Sequence, residues 1–206
     1  MADGALSVKP ARARWVPLRQ RATIFTILIF GVALGLFGAY GVSNFHLTTG
    51  GASAHGRGVR LLPDRAVAVT QAQLSWYERS VGHDVYWLGP RAGITYELTE
   101  TAAHDTYLRY LPAGVAVGSR SPDYTAIGTY PATNAYAAVL ASAREKGRVT
   151  KPIADSGMAS WSAGHPTSVY LAYPRLPYLI EVYNPVAATA HSLALSGVIQ
   201  PVGTGY

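Results

Sequence analysis

The sequence predicts an α+β domain, a curved antiparallel sheet packed against two or three helices, carried behind an N-terminal transmembrane helix. Three observations predict it. Ala22 to Val42 is a run of 21 residues without a charge. Beyond residue 65 the hydrophobic period switches repeatedly between helical and alternating, with Gly and Pro at the switches. Finally, the 206 residues are 49% hydrophobic and only 14% charged, without a cysteine. That composition excludes a disordered chain, a disulfide scaffold, a thiolate zinc site and a lipoprotein anchor.

The formal charge of +6 and the pI near 9.6 would point to nucleic acid if the charge were spread along a face. It is concentrated instead. Residues 1 to 21 hold five basic side chains (Lys9, Arg12, Arg14, Arg19, Arg21) against Asp3, a net +4; the other 185 residues hold 12 basic and 10 acidic side chains. No nucleic-acid partner is therefore expected. As a helix, Ala22 to Val42 is about 30 Å long, enough to cross the hydrocarbon core of a bilayer. Basic residues precede it and none follows until Arg57, so the positive-inside rule puts residues 1–21 in the cytoplasm as a basic tail and the remainder outside the plasma membrane. An Ala52-Ser53-Ala54 pattern would suit a cleaved signal peptide, but the apolar run is long and ends about a dozen residues earlier, favouring an uncleaved signal anchor. Gly31, Gly35 and Ala39 form a small-residue stripe, the pattern through which spans pack as homodimers.

Residues 43–65 are rich in Gly, Ser, Thr, Ala and His and read as a flexible linker. The outer domain is expected over 66–202, with 203–206 as a tail. Thr70 and Gln73 have capping-box spacing and open a helix from Gln71 to Val81, stopped by Gly82. A four-stranded meander follows: His83–Gly89, Gly93–Thr99, Thr106–Pro112 and Tyr124–Tyr130. Ile94, Tyr96 and Leu98 alternate with Thr95, Glu97 and Thr99, which buries one face. Asn134 opens a second helix from Ala135 to about Lys146, ended by Gly147. Four more strands are expected at Arg148–Ile153, Met158–Ser162, Ser168–Tyr173 and Tyr178–Tyr183, the last two joined by Pro174-Arg175-Leu176-Pro177. Asn184 and Pro185 start a third helix, Val186 to Leu195, stopped by Gly197. No repeat of fixed period appears.

Catalytic templates are missing: there is no HExxH, GxSxG, P-loop, GxGxxG or SxxK. No catalytic residue, metal ligand set or cofactor is assigned. The neighbours His83-Asp84 and His104-Asp105 point to opposite faces of an extended chain, and His104-Asp105 suits a hairpin tip. Fourteen tyrosines, most of them on strands, serve either sheet packing or recognition of a peptide or glycan through flat rings with one polar handle. Trp87, Tyr96, Trp161 and Tyr170 are the candidate binding residues.

The runs VYWLGPRAGITYELT (Val85 to Thr99), YLRYLPAGVAVG (Tyr107 to Gly118), IGTYP (Ile127 to Pro131) and LIEVYNPVAATAHSLALSG (Leu179 to Gly197) resemble a set of actinobacterial membrane-anchored proteins whose outer domains have no assigned function. The likeness covers most of Thr70 to Val202 and implies no site residue. More loosely, the element order is similar to small extracytoplasmic α/β sandwiches of actinobacterial lipoproteins and of the photosystem oxygen-evolving subunit P group, an analogy of fold alone. Together these readings describe an anchored binding, sensory or assembly module of the cell envelope, partnered by the lipid bilayer and an envelope protein or glycan. The alternative is an envelope hydrolase with a dispersed Ser/His/Asp site. Twenty-one cytoplasmic residues are too few for an anti-sigma domain.

Overall fold

The structure, a computed structural model, describes residues 61–204. The basic tail, the span with Gly31, Gly35 and Ala39, and the linker up to Arg60 lie outside the described residues. Among the described residues no helix is long and apolar enough to cross a membrane.

The elements run β1 (Val67–Val69), α1 (Gln71–Val81), β2 (Tyr86–Trp87), β3 (Ile94–Glu100), β4 (Thr106–Pro112), β5 (Ala126–Pro131), α2 (Ala135–Ser142), β6 (Arg148–Pro152), β7 (Met158–Ser162), β8 (His165–Ala172), β9 (Tyr178–Tyr183), α3 (Ala187–Leu195), β10 (Gln200–Pro201) and a closing 3-10 turn, Val202–Thr204. Eight strands form one antiparallel sheet in the order β1-β3-β4-β5-β9-β8-β7-β6, while β2 and β10 pair separately. The order rises along the chain to β5 and then runs back from β9 to β6. Each half is a helix followed by a meander, and the halves meet where β5 pairs with β9.

Cross-strand partners share a face, so the register sorts the side chains. The row Leu98, Leu108, Ile127, Val182, Val169 and the row Thr106, Thr129, Ile180, Leu171, Ala159 belong to one side, here called the inner face. Leu74 and Tyr77 of α1, Val85 to Leu88, Ala190 and Ala194 of α3, Ile199 and Val202 complete the core there. The opposite, outer face carries Glu97, Arg109, Tyr107, Gly128, Glu181 and Tyr170. Helix α2 packs on that face over β6 to β9, where the Ser142 and Ser160 hydroxyls meet at 3.1 Å. The helices therefore cover both faces.

Local chemistry explains the boundaries. The Thr70 hydroxyl accepts from Gln73 N–H at 3.2 Å and Gln73 Oε1 from Thr70 N–H at 2.8 Å, the reciprocal capping box. Gly82 takes φ 70°, the left-handed turn that ends α1. Helix α2 stops four residues short of the expected Lys146. The Ser142 hydroxyl donates to the Val139 carbonyl at 2.7 Å, and Ala143 and Arg144 make tight i→i−3 bonds that do not continue the helix. Asn184 Oδ1 accepts from Val186 N–H at 2.8 Å, so α3 starts one residue later than expected, at Ala187.

Two expectations are corrected. The segment His83–Gly89 is not the first strand of the main sheet; only Tyr86 and Trp87 pair, and with β10. Its N–H groups are taken by side chains instead: Val85 N–H by Glu78 at 3.0 Å, Tyr86 N–H by Thr129 at 3.1 Å and Leu88 N–H by the Tyr110 hydroxyl at 2.7 Å. That arrangement lays the segment across the inner face as a second layer, and the three-residue β1 takes the edge of the sheet. Glu97, on what alternation marks as a solvent face, is 1% exposed.

Candidate functional site

Glu97 is buried by a loop. Its Oε1 accepts from Arg109 Nη1 at 2.8 Å across the β3–β4 pair, and its Oε2 accepts from Gly118 N–H at 2.6 Å. The same guanidinium donates to the Ser119 carbonyl at 2.8 Å and the Ser121 carbonyl at 2.9 Å, and lies 5.1 Å from the Tyr124 ring centre. The fork geometry of arginine satisfies three acceptors at once. The Tyr183 hydroxyl adds a bond to the Pro122 carbonyl at 2.9 Å. These contacts fasten residues 113–125 over the β3–β4 side of the outer face, while α2 covers the β6–β8 side.

Between those two walls runs the cross-strand row Tyr107, Gly128, Glu181, Tyr170. Gly128 is the key to its geometry. A Cβ there would sit 2.7 Å from the Tyr130 hydroxyl and 2.9 Å from two of its ring carbons. Only glycine lets the Tyr130 ring fold back along its own strand, and the hydroxyl then donates to the Glu181 carboxylate. The Ser168 and Tyr170 hydroxyls neighbour the same carboxylate. Glu181 is 8% exposed. Burial raises its pKa from the ordinary carboxylate value, and the neighbouring Ser168, Tyr130 and Tyr170 hydroxyls oppose that rise. Burial, then the neighbouring Glu181 charge, pushes the Tyr130 and Tyr170 hydroxyls up, so both phenols remain protonated donors. The Tyr107 ring meets the Tyr130 ring edge-on at 5.6 Å and 80°. Tyr107 and Tyr130 are half-buried, each keeping part of its ring open to solvent. They form an aromatic pair in which Tyr130 is held from below by the Glu181 carboxylate.

A second feature lies at the start of α2: an open groove of about 270 Å³ between Thr133, Asn134, Tyr136 and Ala137 and the β8–β9 turn of Arg175, Leu176 and Pro177. The Ala132 N–H to Pro177 carbonyl bond of 2.7 Å joins its two sides.

The structure separates the four candidate binding residues. Trp87, 1% exposed, and Tyr96 lie in the inner core in edge contact at 6.0 Å, and the Tyr96 hydroxyl accepts from Arg91 N–H at 2.6 Å. Trp161, 6% exposed, is covered by the His191 ring of α3 at 4.5 Å, with Lys151 Nζ 5.8 Å from its centre. Those three are packing residues. Tyr170 alone joins the Glu181 cluster, and it is buried there. Sequence reasoning missed Tyr107, Gly128, Tyr130 and Glu181. The available signals were a lone glycine inside a strand and a lone carboxylate between apolar neighbours in LIEVY.

The histidines stand apart. His104, at φ 65°, occupies the exposed β3–β4 hairpin tip, with Nδ1 3.0 Å from Glu100. His83 lies beside Tyr178, His165 is exposed at the start of β8, and His191 stacks on Trp161. None lines the groove at α2. Among the described residues no three His, Asp or Glu side chains converge to hold a metal ion. The buried carboxylates serve as staples: Glu78 Oε1, for example, accepts from both Val85 N–H at 3.0 Å and Val202 N–H at 3.1 Å. In comparisons with family models, with curated proteins and with solved structures, the chain matches none.

Proposed function

We propose that the chain is a single-pass protein of the bacterial plasma membrane, its N-terminus cytoplasmic, and that its outer domain is a binding module for an envelope protein or glycan. The observation that carries the binding assignment is the Tyr107–Tyr130 surface. Both rings keep part of their surface open; Tyr130 is held by a buried carboxylate and Tyr107 rests edge-on against the Tyr130 ring, between a stapled loop and a helix, so little side-chain entropy is lost when a partner covers them. Flat rings with polar edges suit sugar rings and extended peptide equally. The anchor is supported by the uncharged run Ala22 to Val42 and the basic residues before it.

A photo-crosslinking residue placed at Tyr107 tests the binding role in native membranes, with Lys146, exposed beyond α2, as control position. Adducts with one envelope component at 107 and none at 146 are expected; equal labelling at both overturns the assignment. Protease added to intact spheroplasts should digest the outer domain, and protection of that domain overturns the orientation. Isoleucine at Gly31 and Gly35 should abolish self-association of the span in a membrane, and unchanged association removes the homodimer.

A further inference from the structure

Five large apolar side chains stand exposed among the described residues: Leu62, Trp76, Leu140, Val186 and Leu195. Leu140 sits on α2, while Val186 and Leu195 sit at the two ends of α3. Leu62, 52% exposed, and Trp76, 41% exposed, differ in their place, which is where the described chain enters the domain. Asp64 N–H donates to the Glu100 carbonyl at 2.7 Å and Arg65 N–H to the Leu62 carbonyl at 3.1 Å, so the entry segment is turned against the end of β3. Tyr77, adjacent to Trp76, lies within electrostatic reach of the same Glu100. The entry segment and α1 thus both lie by the Glu100 end of β3.

The charges there have a pattern. The acid of α1, Glu78, is turned inward onto backbone N–H groups, and the exposed residues of the helix are Ala72, Trp76, Arg79 and Ser80. Arg65 is exposed on the entry segment, with Asp64 beside it. An exposed indole one helical turn before a guanidinium, and an exposed leucine three residues before another, match the layer of a bilayer where acyl chains give way to phosphates. Chain length brings them together. Eighteen residues, Ser43 to Arg60, separate the end of the apolar run from Leu61. They reach at most about 60–65 Å when extended. A weak surface contact is then effectively intramolecular.

We propose that the outer side of α1, with Leu62 to Arg65, docks on the lipid surface, placing Trp76 and Leu62 in the interfacial layer and Arg65 and Arg79 on lipid phosphates. The proposal rests on the membrane-anchored reading above and adds an orientation to it. Because α1 packs on the inner face of the sheet, docking through α1 turns the Tyr107–Tyr130 surface away from the bilayer, toward the envelope.

The test uses the full chain carrying Trp15→Phe, reconstituted in nanodiscs of phosphatidylcholine with and without brominated acyl chains. Trp87 and Trp161 are core residues and serve as an unquenched background. Brominated lipid should remove roughly a third of the emission, because one of the three remaining indoles lies in the interfacial layer. Adding Trp76→Phe should abolish the quenching without altering the circular dichroism spectrum, and Arg79→Glu should reduce it at least twofold. Equal emission from both disc types, with the protein co-eluting with the discs, overturns docking and leaves the anchor standing. Failure to enter the discs overturns the anchor, and docking with it. A Trp76 emission that responds only to the number of chains per disc overturns docking in favour of contact with a second copy.

Discussion

Gly128→Ala is the sharpest probe of the outer face. The added methyl carbon would lie 2.7 Å from the Tyr130 hydroxyl, well inside contact distance, so the ring must swing away and release Glu181. A hydrogen bond to a charged group contributes about 1.5–3 kcal/mol. Alanine in place of glycine in a strand returns about 0.5–1 kcal/mol through the unfolded chain. The net loss should be about 1–2 kcal/mol. For a domain of this size that lowers the melting temperature by about 3–7 °C. Thermal and urea unfolding of Gly128→Ala, Tyr130→Phe and the double variant make a cycle. If the methyl acts by displacing the hydroxyl, the double variant costs clearly less than the two single costs added together. Strict additivity, or a Gly128→Ala protein as stable as the parent, would refute the reasoning.

Three other consequences can be measured. Because burial raises the folded pKa of Glu181 above its ordinary 4.5, its ionisation opposes folding at neutral pH. The stability of the parent relative to Glu181→Gln should therefore rise as pH falls through that folded pKa toward 4.5; a flat or opposite trend in urea titrations at several pH values contradicts it. Arg109→Ala leaves Glu97 buried without its partner and should cost about 3–5 kcal/mol. It should also speed tryptic cleavage at Arg120, and Arg109→Lys should not restore resistance because an ammonium cannot reproduce the fork; resistance at the parent level in Arg109→Ala would show that the loop is held otherwise. Glu78→Ala strips an acceptor from two buried N–H groups and should cost about 2–4 kcal/mol, read by urea unfolding. A loss below about 0.5 kcal/mol would mean that the Val85 carbonyl, which also accepts from Val202 N–H at 2.9 Å, suffices alone.

Local signals located most elements because each rests on neighbours in sequence. The Thr70–Gln73 box, the Gly82 stop, and the alternation along Thr106–Pro112, Met158–Ser162 and Tyr178–Tyr183 agree with the observed bounds. Periodicity does not say which partner an N–H will find. The aromatic run His83–Gly89 reads as a sheet strand, but side chains of Glu78, Thr129 and Tyr110 claim its backbone from 7, 43 and 22 positions away. The same holds for faces. Alternation marks Glu97 as solvent-facing, whereas a loop covers it.

By itself, the sequence determines the three helices, most of the strands, the antiparallel class and the concentration of positive charge ahead of one long apolar run, since these depend on spacing and composition within a few residues. Only the tertiary structure decides which aromatics are core and which are surface. Trp87 and Tyr96 pack together in the inner core and Trp161 lies under His191 of α3, while Tyr107 and Tyr130 keep part of their surface open near a carboxylate 51 positions beyond Tyr130. Burial of a strand residue depends on what lies over its face, and residues distant in sequence supply that cover.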